Sequence, residues 1–551
     1  MASLLQIQSP KLLQVLVLSR VPWISAFSVT IGLSIAGYLF TQAFLTKIPP
    51  IKGIPEAPGA VPFFGHLKAL GSDHASKFQQ WGVKHNWQVL QARLGRRRVL
   101  VLNGFREAQE WIVKNATATI DRPLFYTFHK VVSTSQGGTI GTSPWDESTK
   151  RRRVAVSTYL TRPALRNSAP MLDVESFAMI ADMYSSTKKD KLGEVNPRLY
   201  CQRLAFNITL MICYGARFDD VGDPDLLNML DIATTVSTFR SSNSNPQDYV
   251  PLLRYFPNNE RQKLAVETRE KRDIWLQNML NRVQAVVEED HYRPCITGSM
   301  LTESGSLNQA DIKSINVSLV SGGFETVSTT MLAGLGWLAS PEGQLLQDRI
   351  WDELLTVYGN ISTAWEMVLT EEKSLVNVAL YKEMLRHFAA IPLLPPRSTI
   401  KEFEWNGILI PKGITIYMNA QAINHDKSYY GEDADTFRPD RWLDEKHPIG
   451  SPYHFSFGAG SRACPAIAIS NRIIYITVAR LILLFRILPA ADGSLLDTDY
   501  VNYNEDTTQQ TAHPRPYKIR LEPRNSGGVD ESSLETCFAL SRANASTMEF
   551  N

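Results

Sequence analysis

Near its C-terminal end the chain has a glycine-bearing loop, Phe455-Ser-Phe-Gly-Ala-Gly-Ser-Arg-Ala-Cys464-Pro-Ala, which delivers one cysteine to the start of a long apolar run, Ala466 to Phe485. Pro465 suits the first turn of a helix there, because its missing N–H has no partner to lose. The cysteine therefore stands where helix-end amides and their dipole favour the thiolate, the form of sulfur that binds metal. Gly458 and Gly460 allow the backbone to approach a flat ligand closely, and Arg462 offers a cation to a carboxylate. An isolated cysteine is more often a buried structural residue, so the surrounding pattern has to carry the argument.

A second constellation lies on the run Gln309 to Ser340, apolar around most of its circumference and stopped by Pro341, which predicts one buried central helix. It contains Gly322-Gly323-Phe324-Glu325-Thr326. Glycine inside a helix costs up to ~1 kcal/mol relative to alanine, so two in succession ask for a reason, such as thinning the helix over a bound gas. Glu325 and Thr326 set an acid and a hydroxyl beside that gap, the pair that a proton relay needs. The plainer alternative has Thr326 bonding back to a helix carbonyl and Glu325 pairing with a cation.

These features together are specific. Phe457-x-x-Gly460-x-Arg462-x-Cys464 resembles the haem-binding signature of the cytochrome P450 family, with Ala466 where that family usually has glycine. Gly322 to Thr326 resembles the family's oxygen-activation motif, and Glu383-x-x-Arg386 is similar to its helical ion pair. Phe437-Arg438-Pro439-Asp440-Arg441-Trp442 is similar to its Pro-Glu-Arg-Phe segment, with Asp440 and Trp442 substituted. The resemblance implies a structural Glu383, Arg386, Arg441 network that locks the loop ahead of Cys464. It also implies that Arg397, after Pro395-Pro396, meets a haem propionate and that Trp145 lies beside the haem. The basic residue usual four positions after that tryptophan is Thr149 here, which leaves open which cation between Thr149 and Arg153 takes its part.

The fold so implied is mainly α with small β-sheets, a cytochrome P450 fold preceded by an N-terminal transmembrane helix. Val21 to Thr46 holds no charge and is bracketed by Arg20 and Lys47. At ~1.5 Å per residue it exceeds the ~30 Å hydrocarbon layer and is longer than a signal-peptide core of ~7–15 residues. The expected organisation is a segment 1–20, an anchor 21–46, a proline-rich hinge 47–62 acting as a semi-rigid spacer, a haem-thiolate domain 63–524 and a flexible tail 525–551. Strand-like runs are expected at Val89 to Leu94, Arg98 to Leu102, Phe403 to Ile410 and Tyr517 to Leu521.

A net charge of +2 with one dense basic cluster, Lys150 to Arg153, excludes nucleic acid as the expected partner. The five cysteines show no Cys-x-x-Cys, and hydrolase elbow, His-Glu-x-x-His and phosphate-loop patterns are missing from the sequence. The resemblance implies haem b with Cys464 as axial thiolate and metal ligand, cofactor contacts from Arg462, Arg397, Trp145, Phe457 and Gly458, and catalytic roles for Thr326 and Glu325. Electrons would reach the haem from NADPH through a separate cytochrome P450 reductase, with cytochrome b5 as a further partner. The expected location is the endoplasmic reticulum membrane, single-pass, with the body facing the cytosol, where the Asn-x-Ser/Thr triplets at Asn115, Asn207 and Asn316 escape glycosylation.

The segment Thr139 to Arg153, the Tyr-Leu-Thr-Arg-Pro at 159–163 and Gly458 to Arg462 resemble the fungal phenylacetate hydroxylase branch of the family. That implies a monooxygenase inserting one oxygen atom from O2 into an aromatic acid, phenol or secondary-metabolite intermediate. Phe125 to His129 and Ile391 to Leu394 are candidates for pocket lining, with His129 able to bond a carboxylate or phenol. The alternatives are a haem-thiolate isomerase or dehydratase without a reductase, against which the intact Glu325-Thr326 pair speaks, and a non-enzymatic, membrane-tethered haem sensor.

Overall fold

Apolar residues recur at helical spacing through most of the chain. The computed structural model, which describes residues 11–161, 168–256, 259–289, 294–302, 307–444, 453–524 and 531–546, is accordingly mainly helical, with three small sheets among the described residues. Arg162 and Pro163 lie outside the described residues.

The apolar run after Cys464 forms the helix Ile467–Leu484, whose residues from Ile473 to Leu484 are all buried. It packs against the helices Ala169–Lys189, Pro341–Tyr358 and Leu375–His387, so the cysteine loop is mounted on the centre of the core. The four-stranded sheet orders Val89–Leu94, Arg97–Leu102, Thr415–Met418 and Arg397–Ser398. Its second and third strands run parallel, the other pairs antiparallel, and the last strand carries Arg397 into the interior. The strand Phe485–Pro489 follows directly on the cysteine helix and pairs with Ile519–Pro523, slightly beyond the run expected there.

Four expectations need correction. The run expected as one strand at 403–410 is a hairpin, Phe403–Trp405 and Ile408–Ile410, because Asn406 and Gly407 both take positive φ (50° and 74°). Asn-Gly is the pair that such a tight turn favours. The central helix is two, Gln309–Gly323 and Glu325–Leu338, broken at Phe324. The glycine pair weakens the helix at that point, and the Thr326 hydroxyl reaches back to the Gly322 carbonyl at 3.4 Å.

The proline-rich segment, expected as a hinge acting as a semi-rigid spacer, packs on the body, since Ile51, Ile54 and Ala57 are buried. Gln91 donates to the carbonyls of Ile51 and Ile54 (3.0 and 2.6 Å), and its own carbonyl accepts from the Ala57 N–H (2.9 Å). Prolines hold this stretch extended, and an extended chain can dock beside a strand. The described part of the supposed tail is the helix Glu531–Ser546, with Leu534, Cys537 and Phe538 buried against the body. Ser541 accepts from the Trp365 indole at 3.0 Å and donates to Asp173, which also takes the Asn544 amide at 2.6 Å. Its few core formers fall on one helical face, where a count of composition hides them.

The candidate anchor, an apolar N-terminal helix, spans Lys11–Phe44, starting before and ending just inside the expected 21–46. Phe27 and Leu33 are each 69% exposed, as suits a helix that leaves the body, whereas the equally apolar Ile467–Leu484 is buried. Ala43 belongs to the body: its carbonyl accepts from the Phe63 N–H (2.9 Å) and from Arg93 Nη1 (2.5 Å). Removing residues 1–40 is therefore expected to move most of the protein from the membrane pellet to the supernatant with its fold intact. Undiminished sedimentation with membranes would mean that the body carries another strong membrane-binding surface.

Candidate functional site

The loop before the cysteine is shaped by two left-handed glycines, Gly458 (φ 64°) and Gly460 (φ 62°). They differ in purpose. A side chain on Gly460 would meet the Ile112 carbonyl at 2.2 Å, so this glycine lets the loop close on the protein itself. Gly458 has open space before it and lines a cavity of about 280 Å³ together with Phe457 and Cys464. The Cys464 N–H donates to the Phe457 carbonyl (3.0 Å), and its sulfur accepts from the Ala466 N–H (3.4 Å), which turns the thiol toward the cavity. The helix end alone does not yield a thiolate: burial pushes the thiol up, and the Ala466 N–H and Arg153 offset this only in part.

Thr326 lines the same cavity, on the opposing central helix, beside Gly322 and Gly323. A methyl on Gly323 would collide with Thr209, whereas Gly322 faces open space. Glu325 does not accompany Thr326 onto the wall. It is buried behind it, one oxygen accepting from the Thr511 hydroxyl at 3.2 Å and the other without a partner. Burial raises its carboxyl to about 7 against the opposing pull of Arg240 and Thr511.

Four arginines, Arg122, Arg153, Arg397 and Arg462, also line the cavity. Arg397 and Arg462 are held down to about 9, first by burial, then by Arg462 and Arg153 in the case of Arg397 and by Arg153 in the case of Arg462; Arg122 is lowered further by burial, Arg397, Arg462 and Arg153. Their hydrogen bonds go to backbone carbonyls: Arg397 to Ala459 (2.6 Å), Arg462 to Ser143 (2.8 Å), Arg153 to Ala463 (2.9 Å), Arg122 to Pro396 (2.8 Å). Nε of Arg122, Arg397 and Arg462 is buried without any partner. Crowded cations with orphaned donors require an anion, and the two carboxylates of a haem b, whose iron would face Cys464, fit that requirement.

Arg153 is thus the member of the basic cluster that reaches the cavity. Arg151 pairs with Asp311 (2.7 Å), Arg152 turns to Ser314 and Gly137, Lys150 meets Glu147 at the surface and Thr149 is buried. Trp145 stands outside the cavity lining, its ring 5.5 Å from the Arg462 guanidinium and its backbone N–H donating to Asp121 (2.6 Å), and so packs against that arginine. His129 is fully used: Nδ1 accepts from the Phe125 N–H (3.0 Å), which leaves Nε2 to donate to the Thr142 carbonyl (3.1 Å). Burial lowers it to about 4, so it is neutral and structural.

Sequence reasoning passed over Arg122 and Arg240, both on the cavity wall. Arg122 stands before Pro123, which favours extended backbone and was a usable signal. Arg240 had none, because only the packing of its helix, Pro224–Arg240, brings it there. Ile391 and Leu394 line the cavity as expected.

A family model described as Cytochrome P450 matches residues 55–519. The chain is 40% identical over 504 residues to phenylacetate 2-hydroxylase of Emericella nidulans, covering 90% of this chain and 96% of that one. It is 32% identical over 487 residues to 3-hydroxyphenylacetate 6-hydroxylase of the same organism, covering 88% and 91%. A cytochrome P450 monooxygenase of Mycosarcoma maydis is also 32% identical, over 489 residues.

Proposed function

The chain belongs to the cytochrome P450 family, and from that membership we propose that it binds haem b with Cys464 as axial thiolate and hydroxylates a small aromatic acid or phenol. The observation that carries this reading is one cavity lined together by the Cys464 sulfur, the Thr326 hydroxyl and four arginines. Arg397, Arg462, Arg153 and Arg122 would hold the two propionates, and Phe457 and Gly458 would lie beside the ring. When bound, the haem supplies the oxygen-activating chemistry, with the thiolate donating electron density.

The chain's own task is then to bring substrate and protons to one face. The walls formed by Ile208, Leu319, Val327 and Ile391 are apolar, which suits an aromatic ring and excludes bulk water. Thr326 Oγ1, lightly engaged at 3.4 Å, is free to turn and hold a proton at the cavity face. Glu325, near neutrality in its acidity, acts from behind as the store. Thr326→Ala is expected to lower product formed per NADPH consumed by about tenfold, below the ~10²–10⁴-fold that a positioned proton donor contributes because water in the cavity can replace part of the hydroxyl's role, while Thr326→Ser retains most of it. Equal coupling in the alanine variant would remove Thr326 from the relay.

Electrons would come from a separate NADPH-cytochrome P450 reductase, with cytochrome b5 as an auxiliary donor. The anchor helix would hold the body on the cytosolic face of the endoplasmic reticulum in a single pass. The test is co-expression with that reductase under 18O2, supplying phenylacetate, hydroxyphenylacetates and simple phenols. The expected product gains one labelled oxygen and requires NADPH. Conversion without NADPH would favour an isomerase or dehydratase instead.

A further inference from the structure

Arg240 is a fifth arginine on the cavity wall and stands apart from the other four. The charged groups that act on it are Glu325 and Arg272, whereas Arg122, Arg397 and Arg462 are all acted on by Arg153. It projects from the end of the helix Pro224–Arg240 to the broken central helix, where Nη1 donates to the Ser321 carbonyl at a long 3.3 Å. Its guanidinium lies over the Phe128 ring, 4.9 Å from the centroid, and its Nε is buried without a partner. It also lines a second cavity that shares Arg122, Thr142 and Leu394 with the first, so it stands where the two meet.

A guanidinium with an unused donor, fixed on an aromatic face at the edge of an apolar chamber, matches the carboxylate of a molecule whose remainder is apolar. We propose that Arg240 binds the carboxylate of an aryl-carboxylate substrate and so sets which ring carbon faces Cys464. This rests on the reading of the cavity as a monooxygenase site and adds to it the chemical class of substrate and the residue that selects it. Glu325 acts on this cation through its charge and not through a hydrogen bond, since its hydrogen bond goes to Thr511, so the Arg240 Nε stays open to a ligand. The four other arginines are matched to propionates and are not needed for the substrate.

The test is equilibrium binding of phenylacetate and of its neutral analogue phenylacetamide to the haem-loaded full chain, as wild type, Arg240→Gln and Arg240→Lys. Loss of a charge-assisted contact is expected to weaken phenylacetate binding to the glutamine variant by about 10- to 100-fold, with phenylacetamide changed by less than about threefold. The lysine variant keeps the charge and loses the fork, so it should fall between; if the glutamine variant fails to load haem, the acid-to-amide ratio of the lysine variant is read instead. Equal losses for acid and amide, or an unchanged affinity for the acid, would overturn the assignment. Labelled product from wild type alongside such a result would leave the monooxygenase reading standing, whereas no labelled product from any aromatic would strike that reading first.

Discussion

Cys464→Ser is expected to fold, to lose the Soret shift that a reduced, carbon monoxide-treated cysteinate haem gives, and to form no measurable hydroxylated product. The fold should survive because the thiol contributes little to packing: its sulfur accepts one long bond from Ala466, which a serine oxygen can accept as well. The chemistry should not survive, because an uncharged hydroxyl is a harder and poorer ligand for iron and withdraws the electron density that a thiolate supplies. Changes in groups that merely support a ligand cost ~10–100-fold, and loss of the ligand itself should exceed that. Of the other four cysteines, all buried, Cys201, Cys295 and Cys537 are not part of the cavity wall, whereas Cys213 lines it; burial pushes the Cys213 thiol well up, which disfavours the thiolate that iron would need. Reduced-carbon monoxide spectra and labelled-oxygen turnover, measured on the same preparation, check the expectation. A wild-type Soret position, or undiminished product, would place the sulfur ligand elsewhere.

What the sequence made legible here was whatever is encoded at short range. The cysteine loop was readable because Gly458, Gly460, Arg462 and Pro465 each answer a local need within a few residues of Cys464. The candidate anchor was readable because Val21 to Thr46 is a long run without charge, bracketed by Arg20 and Lys47, and the glycine pair at 322–323 because it is costly where it stands. What was not readable depends on distant partners. Glu325 and Thr326 are adjacent in sequence, and only the break at Phe324 and the approach of Thr511 decide that one faces the cavity and the other does not. Arg240 reaches the site through packing alone, and the docked helix at 531–546 shows its apolar face only when the body is present to receive it. His129 was the opposite case, a plausible ligand-binding residue whose two nitrogens are consumed by its own loop.

Glu383→Ala is expected to destabilise the body by ~3–5 kcal/mol, the cost of leaving buried cations without their counter-charge. Glu383, Arg386 and Arg441 are all fully buried. One carboxylate oxygen accepts from Arg386 Nη2 (2.7 Å), Arg441 Nε (3.1 Å) and the Arg438 N–H (2.8 Å); the other accepts from Arg386 Nε (2.9 Å) and the Trp442 indole (2.9 Å). Burial alone would raise this carboxyl, but Arg386 and Arg441 outweigh it, and the net shift is downward. A group with a lowered folded-state value contributes stability that is present above its unfolded value and is lost as pH falls through the folded one, so the network is intact at neutral pH. Its reach extends to the cysteine. Arg386 binds the Asn424 carbonyl (2.8 Å), the Asn424 side chain takes the Phe455 N–H (2.8 Å) and donates to Ser456 (2.9 Å), and Ser456 caps the Leu385 carbonyl (2.5 Å). Removing Glu383 should therefore loosen the loop that carries Cys464, and haem content per chain should fall along with the thermal midpoint. The control is Arg349→Ala, which breaks an exposed pair with Asp440 (2.8 Å) and should cost no more than ~1 kcal/mol. If both variants melt alike and load haem alike, the buried network does not hold the loop, and the cysteine must be positioned by the Gly460 turn and its own helix alone.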